Sequence, residues 1–126
     1  MNDSPPKPGD SQAAGSAAES PLCAIADIPD GQAIARTLAS SGGGLVLILT
    51  RQGSRVSAFQ NECPHAGRRL DWAPGQFLIE LGHLVCAAHG AAFTLDTGYC
   101  VGGPCRGQAL MRFPVRVEAG LVYAGR

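Results

Sequence analysis

The sequence predicts an all-β fold, a sandwich or small barrel of eight or nine short antiparallel strands. Three observations lead there. Short apolar or alternating runs are broken at close intervals by Gly- and Pro-containing turns. Glycine is abundant, 17 of 126 residues, while aromatics make up only 6%, which suits many turns and modest side-chain volume. Helical periodicity is nearly absent.

The elements follow in order. "LCAIADI" from Leu22 reads as a first strand, and "QAIARTL" as a second, with a helical turn as its alternative. "SSGGG" (Ser40 to Gly44) is a turn. "LVLILT" (Leu45 to Thr50) is continuously apolar, the pattern of a strand buried on both faces. "RQGS" turns the chain, and "RVSAFQ" alternates back as the hairpin partner, running directly into Cys63. "RRLDWAPGQF" is irregular, with a turn at Pro74-Gly75. "GHLVC" is a short strand ending at Cys86, and "AAFTLDTGYC" gives two short strands around Asp96-Thr97-Gly98. "VGGPCRGQAL" is a loop, and "RFPVRVEAGLVYA" a closing hairpin that turns at Ala119-Gly120. Pro114 places its strand at a sheet edge or at a strand start. No internal repeat is present.

Length bounds the chain to one small domain. The formal net charge is zero, so no nucleic-acid footprint or anionic-membrane surface is expected. No apolar run approaches the roughly 20 residues of a membrane span. The N-terminal "MNDSPPKPGDSQAAGSAAES" lacks a positive n-region and an apolar h-region, so it does not read as a secretory signal. Its composition reads as a disordered lead-in over residues 1–20, ahead of a folded domain over 21–126. A cytoplasmic setting follows. The five cysteines are then expected as metal ligands, redox groups or buried thiols rather than a disulfide framework.

Two loops carry the chemistry. "NECPHAG" offers Cys63 and His65, and "VCAAHGA" offers Cys86 and His89. Thiolate sulfur and imidazole nitrogen are the standard ligands of zinc and iron. Each loop follows a strand and continues through glycine, so two hairpin tips can present four ligands to one centre. A Cys2His2 zinc site normally pairs like with like, C-x2-4-C then H-x3-5-H on a helix. Mixed loops suit a [2Fe-2S] centre in which two cysteines hold one iron and two histidines the other.

At these residues the chain resembles the Rieske [2Fe-2S] family. "CPHAG" and "CAAHG" are similar to its C-x-H and C-x-x-H boxes, "FTLDTG" to the strand and turn after the second box, and "GGPC" to the proline loop that covers the cluster. The resemblance runs from about Leu22 to Tyr123. It implies a Rieske-like antiparallel frame with a cluster-binding subdomain of two loops, and Cys63, His65, Cys86 and His89 as ligands of a [2Fe-2S] cluster. The high-potential respiratory type carries an extra cysteine in each box, and these join the loops. It also has a serine after the box glycine and a tyrosine two residues on, whose hydroxyls donate to sulfur. Here Ala87 and Ala88 lie between the second pair of ligands, and Ala91 and Phe93 stand at the hydroxyl positions. The resemblance therefore implies a low-potential, ferredoxin-type centre, near the bottom of the roughly −150 to +300 mV Rieske span.

The function so implied is one-electron transfer by a soluble carrier rather than catalysis. Its partners would be a flavin reductase and a terminal oxygenase or similar enzyme, with no nucleic acid, membrane or small-molecule substrate. A complete oxygenase would need a further mononuclear iron site, and only His83 remains for it. The alternatives are an accessory subunit resembling nitrite reductase small subunits and a zinc-stabilised binding module. Among the other residues, Cys100 and Cys105 flank the proline loop and are expected as thiols packed near the cluster rather than as a disulfide. Cys23 is expected as a small buried hydrophobe, His83 as a surface side chain and Trp72 as packing over the first loop. Arg68 and Arg69 read as solvated, with steering of an acidic partner as the alternative. Glu62 and Asp71 form no paired-carboxylate arrangement.

Overall fold

The computed structural model describes residues 20–40, 43–64, 69–86 and 90–125. Its ten strands form three antiparallel sheets. The first sheet orders β1 (Cys23–Ala24), β10 (Leu121–Ala124) and β9 (Val115–Glu118). The second is the meander β2 (Ala33–Ser40), β3 (Gly43–Gln52) and β4 (Arg55–Gln60). The third runs β5 (Leu78–Glu80), β6 (His83–Val85), β7 (Ala92–Thr94) and β8 (Cys100–Gly102). The sequence-based expectation of an all-β frame holds.

The meander is the middle layer. Ile48 pairs with Phe59, and both enter one core together with Cys63, Leu70, Leu84, Cys86, Phe93 and Leu110. Leu49 pairs with Ala58 on the opposite face, and both enter a second core with Cys23, Ile28 and Val122. Successive side chains of a strand point to opposite faces, so the unbroken apolar run of β3 feeds both cores. Each Phe, Leu or Ile fully buried in this way contributes about 1.5–3 kcal/mol. Thr50 is buried on the same strand. Its hydroxyl donates to the Leu95 carbonyl at 2.6 Å and ties the meander to the turn after β7.

Two details differ from the expectation. The first strand is only two residues long, because the Asp27 carboxylate accepts the Ala24 N–H and the chain winds into a 3-10 turn over Ile25–Asp27. β5 lies in a stretch with no predicted strand. It returns to β6 through Leu81-Gly82, both at positive φ (52° and 76°), and leucine gives no turn signal at such a position. The "QAIARTL" stretch is strand from Ala33 onward, as expected, and its helical alternative falls away. The other predicted hairpins stand as expected: β4 spans Arg55–Gln60, and the final hairpin turns at Ala119-Gly120 with φ of 51° and 79°. Pro114 directly precedes β9, an edge strand. Residues 1–19 of the expected lead-in lie outside the described residues.

Candidate metal centre

Both predicted cysteine ligands follow strands that bring them into one core. β4 runs through Gln60 into the first loop, and β6 ends one residue before Cys86. Cys63 and Cys86 are each fully buried and belong to the same apolar cluster. His65 and His89, the other two predicted ligands, lie outside the described residues, as do Ala87, Ala88 and Arg68.

Asn61 closes the first loop from both sides. Its side-chain oxygen accepts the Leu70 N–H at 2.7 Å, and its amide nitrogen donates to Asp71 Oδ1 at 3.1 Å. Arg69 adds a two-pronged contact to the same carboxylate, at 3.0 and 2.8 Å, and the Gly75 N–H donates to it at 3.0 Å. The Arg69 hydrogen bond holds the Asp71 carboxyl down at about 2, against the opposing effect of burial, and the Gly75 and Asn61 donors add to it. Thus Arg69 is half-exposed but engaged with a carboxylate whose side chain is only 1% exposed. Sequence reasoning missed this clasp. The available signal was an asparagine directly before a ligand loop, a residue type that readily bonds nearby backbone.

The second loop is closed by backbone. The Cys86 N–H donates to the Ala91 carbonyl at 2.7 Å, and the Gly90 N–H donates to the Cys86 carbonyl at 2.8 Å. Gly103, at φ 84°, lies flat on it: a Cβ there would stand 2.8 Å from Ala91 Cα and 3.0 Å from the Gly90 oxygen. The proline loop is therefore seated against the second box by the absence of a side chain. Ala91 and Phe93 are fully buried beside these cysteines, so the positions that lack hydroxyls face the core.

The remaining cysteines separate. Cys100 and Cys105 are not bonded to each other. The Cys100 thiol donates to the Gly102 carbonyl at 3.0 Å, whereas Cys105 Sγ lies 3.6 Å from Cys63 Sγ. Cys23 is buried as expected, and burial pushes its thiol pKa up. Trp72, expected as packing over the first loop, is 63% exposed. A cavity of about 190 Å³ lined by Gln60, Glu62, Cys63, Pro64, Ala109 and Met111 opens beside the first loop.

The donor chemistry fits an iron-sulfur group. Cys63 and Cys86 sit in an apolar core cluster, where an unpaired thiolate would be costly and a metal-bound one is not. Comparison with known proteins agrees. The Rieske [2Fe-2S] domain family matches residues 18–117, and the chain belongs to that family. The cofactor of such a domain is a [2Fe-2S] cluster. Among solved structures, the chain is similar to the terminal oxygenase of carbazole 1,9a-dioxygenase from Novosphingobium sp. KA1, with TM-score 0.70 and 24% identity; the match covers 84% of this chain and 29% of that one. It is similar to a chain of the complex of reduced oxygenase and oxidized ferredoxin in carbazole 1,9a-dioxygenase, with TM-score 0.65 and 27% identity, over 84% and 91% of the two chains. It also resembles the Sphingomonas yanoikuyae B1 ferredoxin, with TM-score 0.64 and 24% identity, over 86% and 98%. A search of the curated proteins by sequence gave no significant match. Among the described residues, no helix is long and apolar enough to cross a membrane.

Proposed function

We propose that this chain is a one-electron carrier whose [2Fe-2S] cluster is held by Cys63 and Cys86 on one iron and by His65 and His89 on the other. The observation that carries the reading is the convergence of Cys63 and Cys86, from two separate loops, in one buried apolar cluster of a Rieske-family chain. The cluster, when bound, supplies one-electron redox chemistry. The protein fixes both cysteines just after strands, closes the first loop through Asn61 and Asp71, and seats the proline loop on the second. The carrier role, as against an oxygenase, is supported by the match over 91% of a chain in the oxygenase–ferredoxin complex. By the same likeness, a terminal oxygenase is the electron acceptor; a flavin reductase as donor, a cytoplasmic setting and a folded domain over 21–126 complete the proposal from the sequence reading.

The potential is low for a Rieske centre, because Ala91 and Phe93 offer no side-chain hydroxyl to the sulfurs. The ligand set is tested by loading the chain with iron and sulfide under anaerobic conditions and counting both. Wild type takes up two irons and two sulfides per chain, as the cluster type requires. Cys63→Ser and Cys86→Ser each lose most of this uptake. His89→Cys retains some cluster at a lower potential. Full uptake at unchanged potential in the His89 variant would contradict the assignment.

A further inference from the structure

Cys105 stands 42 residues from Cys63 in the chain, yet their sulfurs are 3.6 Å apart and both side chains are fully buried. The approach is built by the proline loop. Gly103 is packed on the backbone of Gly90 and Ala91, the Arg106 N–H returns to the Gly103 carbonyl at 3.3 Å, and the Gln108 N–H to the Cys105 carbonyl at 2.8 Å. These contacts fix where the Cys105 side chain begins. The neighbouring Cys100 differs, because its thiol is directed to the Gly102 carbonyl.

Resting on the ligand reading above, we infer that Cys105 is a positioning and tuning residue that donates its S–H to the sulfur of Cys63. Between two thiols, either sulfur can donate. A metal-bound Cys63 is a thiolate and can only accept, so the donor is Cys105. A thiol is a weak donor, but a charged acceptor in a low-dielectric core strengthens the bond. Donation to a ligand sulfur offsets negative charge, and it stabilises the reduced state more than the oxidised one. Cys105 thus supplies from the proline loop part of what Ala91 and Phe93 do not supply from the second box.

The test is the midpoint potential of the loaded full chain, together with its EPR spectrum, in wild type and three variants. Cys105→Ala shifts the potential to a more negative value while the spectrum remains of Rieske type. Cys105→Ser recovers at least part of the drop, because a hydroxyl can also donate. Cys100→Ala leaves the potential at the wild-type value. An unchanged potential in Cys105→Ala overturns the inference, as does a drop that serine does not recover, which would assign the effect to lost volume. Should the alanine chain take up no cluster, proximity is read in the cluster-free wild-type chain with a thiol-oxidising diazene, which accepts two electrons and two protons as a disulfide forms. Peptide mapping then finds Cys63 joined to Cys105; a link from Cys63 to another cysteine, or none, overturns the inference. Loss of the Rieske spectrum in wild type would instead overturn the ligand reading itself.

Discussion

The side chain of Asn61 meets partners nine and ten residues along the chain, and between them it encloses the first loop. Removing it leaves the buried Leu70 N–H without that acceptor, at a cost of about 1–3 kcal/mol. Asn61→Ala is therefore expected to lower stability by that amount in urea unfolding and to slow cluster uptake. Asp71 gives the same loop an acid limit. Its folded-state pKa of about 2 lies below the ordinary 3.8, so its stabilisation is fully present above pH 3.8 and is lost as pH falls toward 2. The difference amounts to about 2 kcal/mol. Unfolding of the cluster-free chain should show Asp71→Asn less stable than wild type at neutral pH, with the gap closing as pH approaches 2. A gap independent of pH would show that the carboxylate's charge is not what matters.

At the scale of elements, the proline loop and the turn after β7 hold the site-bearing sheet in place. Gly103 adopts a φ that L side chains rarely take, and its open side faces backbone rather than a flexible side chain. Gly103→Ala should cost about 1–3 kcal/mol through strain alone, and it should lift the loop from the second box, seen as a changed potential or faster cluster loss. Thr50→Val, which deprives the buried Leu95 carbonyl of its donor, should cost about 1–3 kcal/mol with little effect on potential. These elements were unequally legible in the sequence. β3 and β4 were plain, because their apolar pattern states which faces are buried. β5 was hidden, because its turn uses Leu81, 97% exposed, at a position that normally signals itself with Asn, Asp or Gly. The loop cysteines Cys63 and Cys86 were readable from spacing. The meeting of Cys63 with Cys105 was not, because it depends on how one loop seats on another. Trp72 was not legible, since a large apolar side chain next to a loop can stay mostly exposed.

For the whole molecule, the three sheets place one meander between two cores, and only one of those cores contains Cys63 and Cys86. The outer sheet of β1, β10 and β9 therefore contributes stability at a distance from the site. Val122→Ala, in the second core, should lower stability by about 1–3 kcal/mol, below the larger Leu→Ala range, and leave the midpoint potential unchanged. Phe93→Ala, in the cysteine-bearing core, should cost about 3–5 kcal/mol and move both stability and potential. The central claim is that sulfur and imidazole share one iron-sulfur centre. It is tested most directly by EPR of the dithionite-reduced, loaded chain, with electron-nuclear double resonance to detect nitrogen. The account predicts a Rieske-type signal with coupling to nitrogens that disappears when His65 and His89 are replaced. A colourless protein carrying zinc, or a [2Fe-2S] signal without nitrogen coupling, would contradict it.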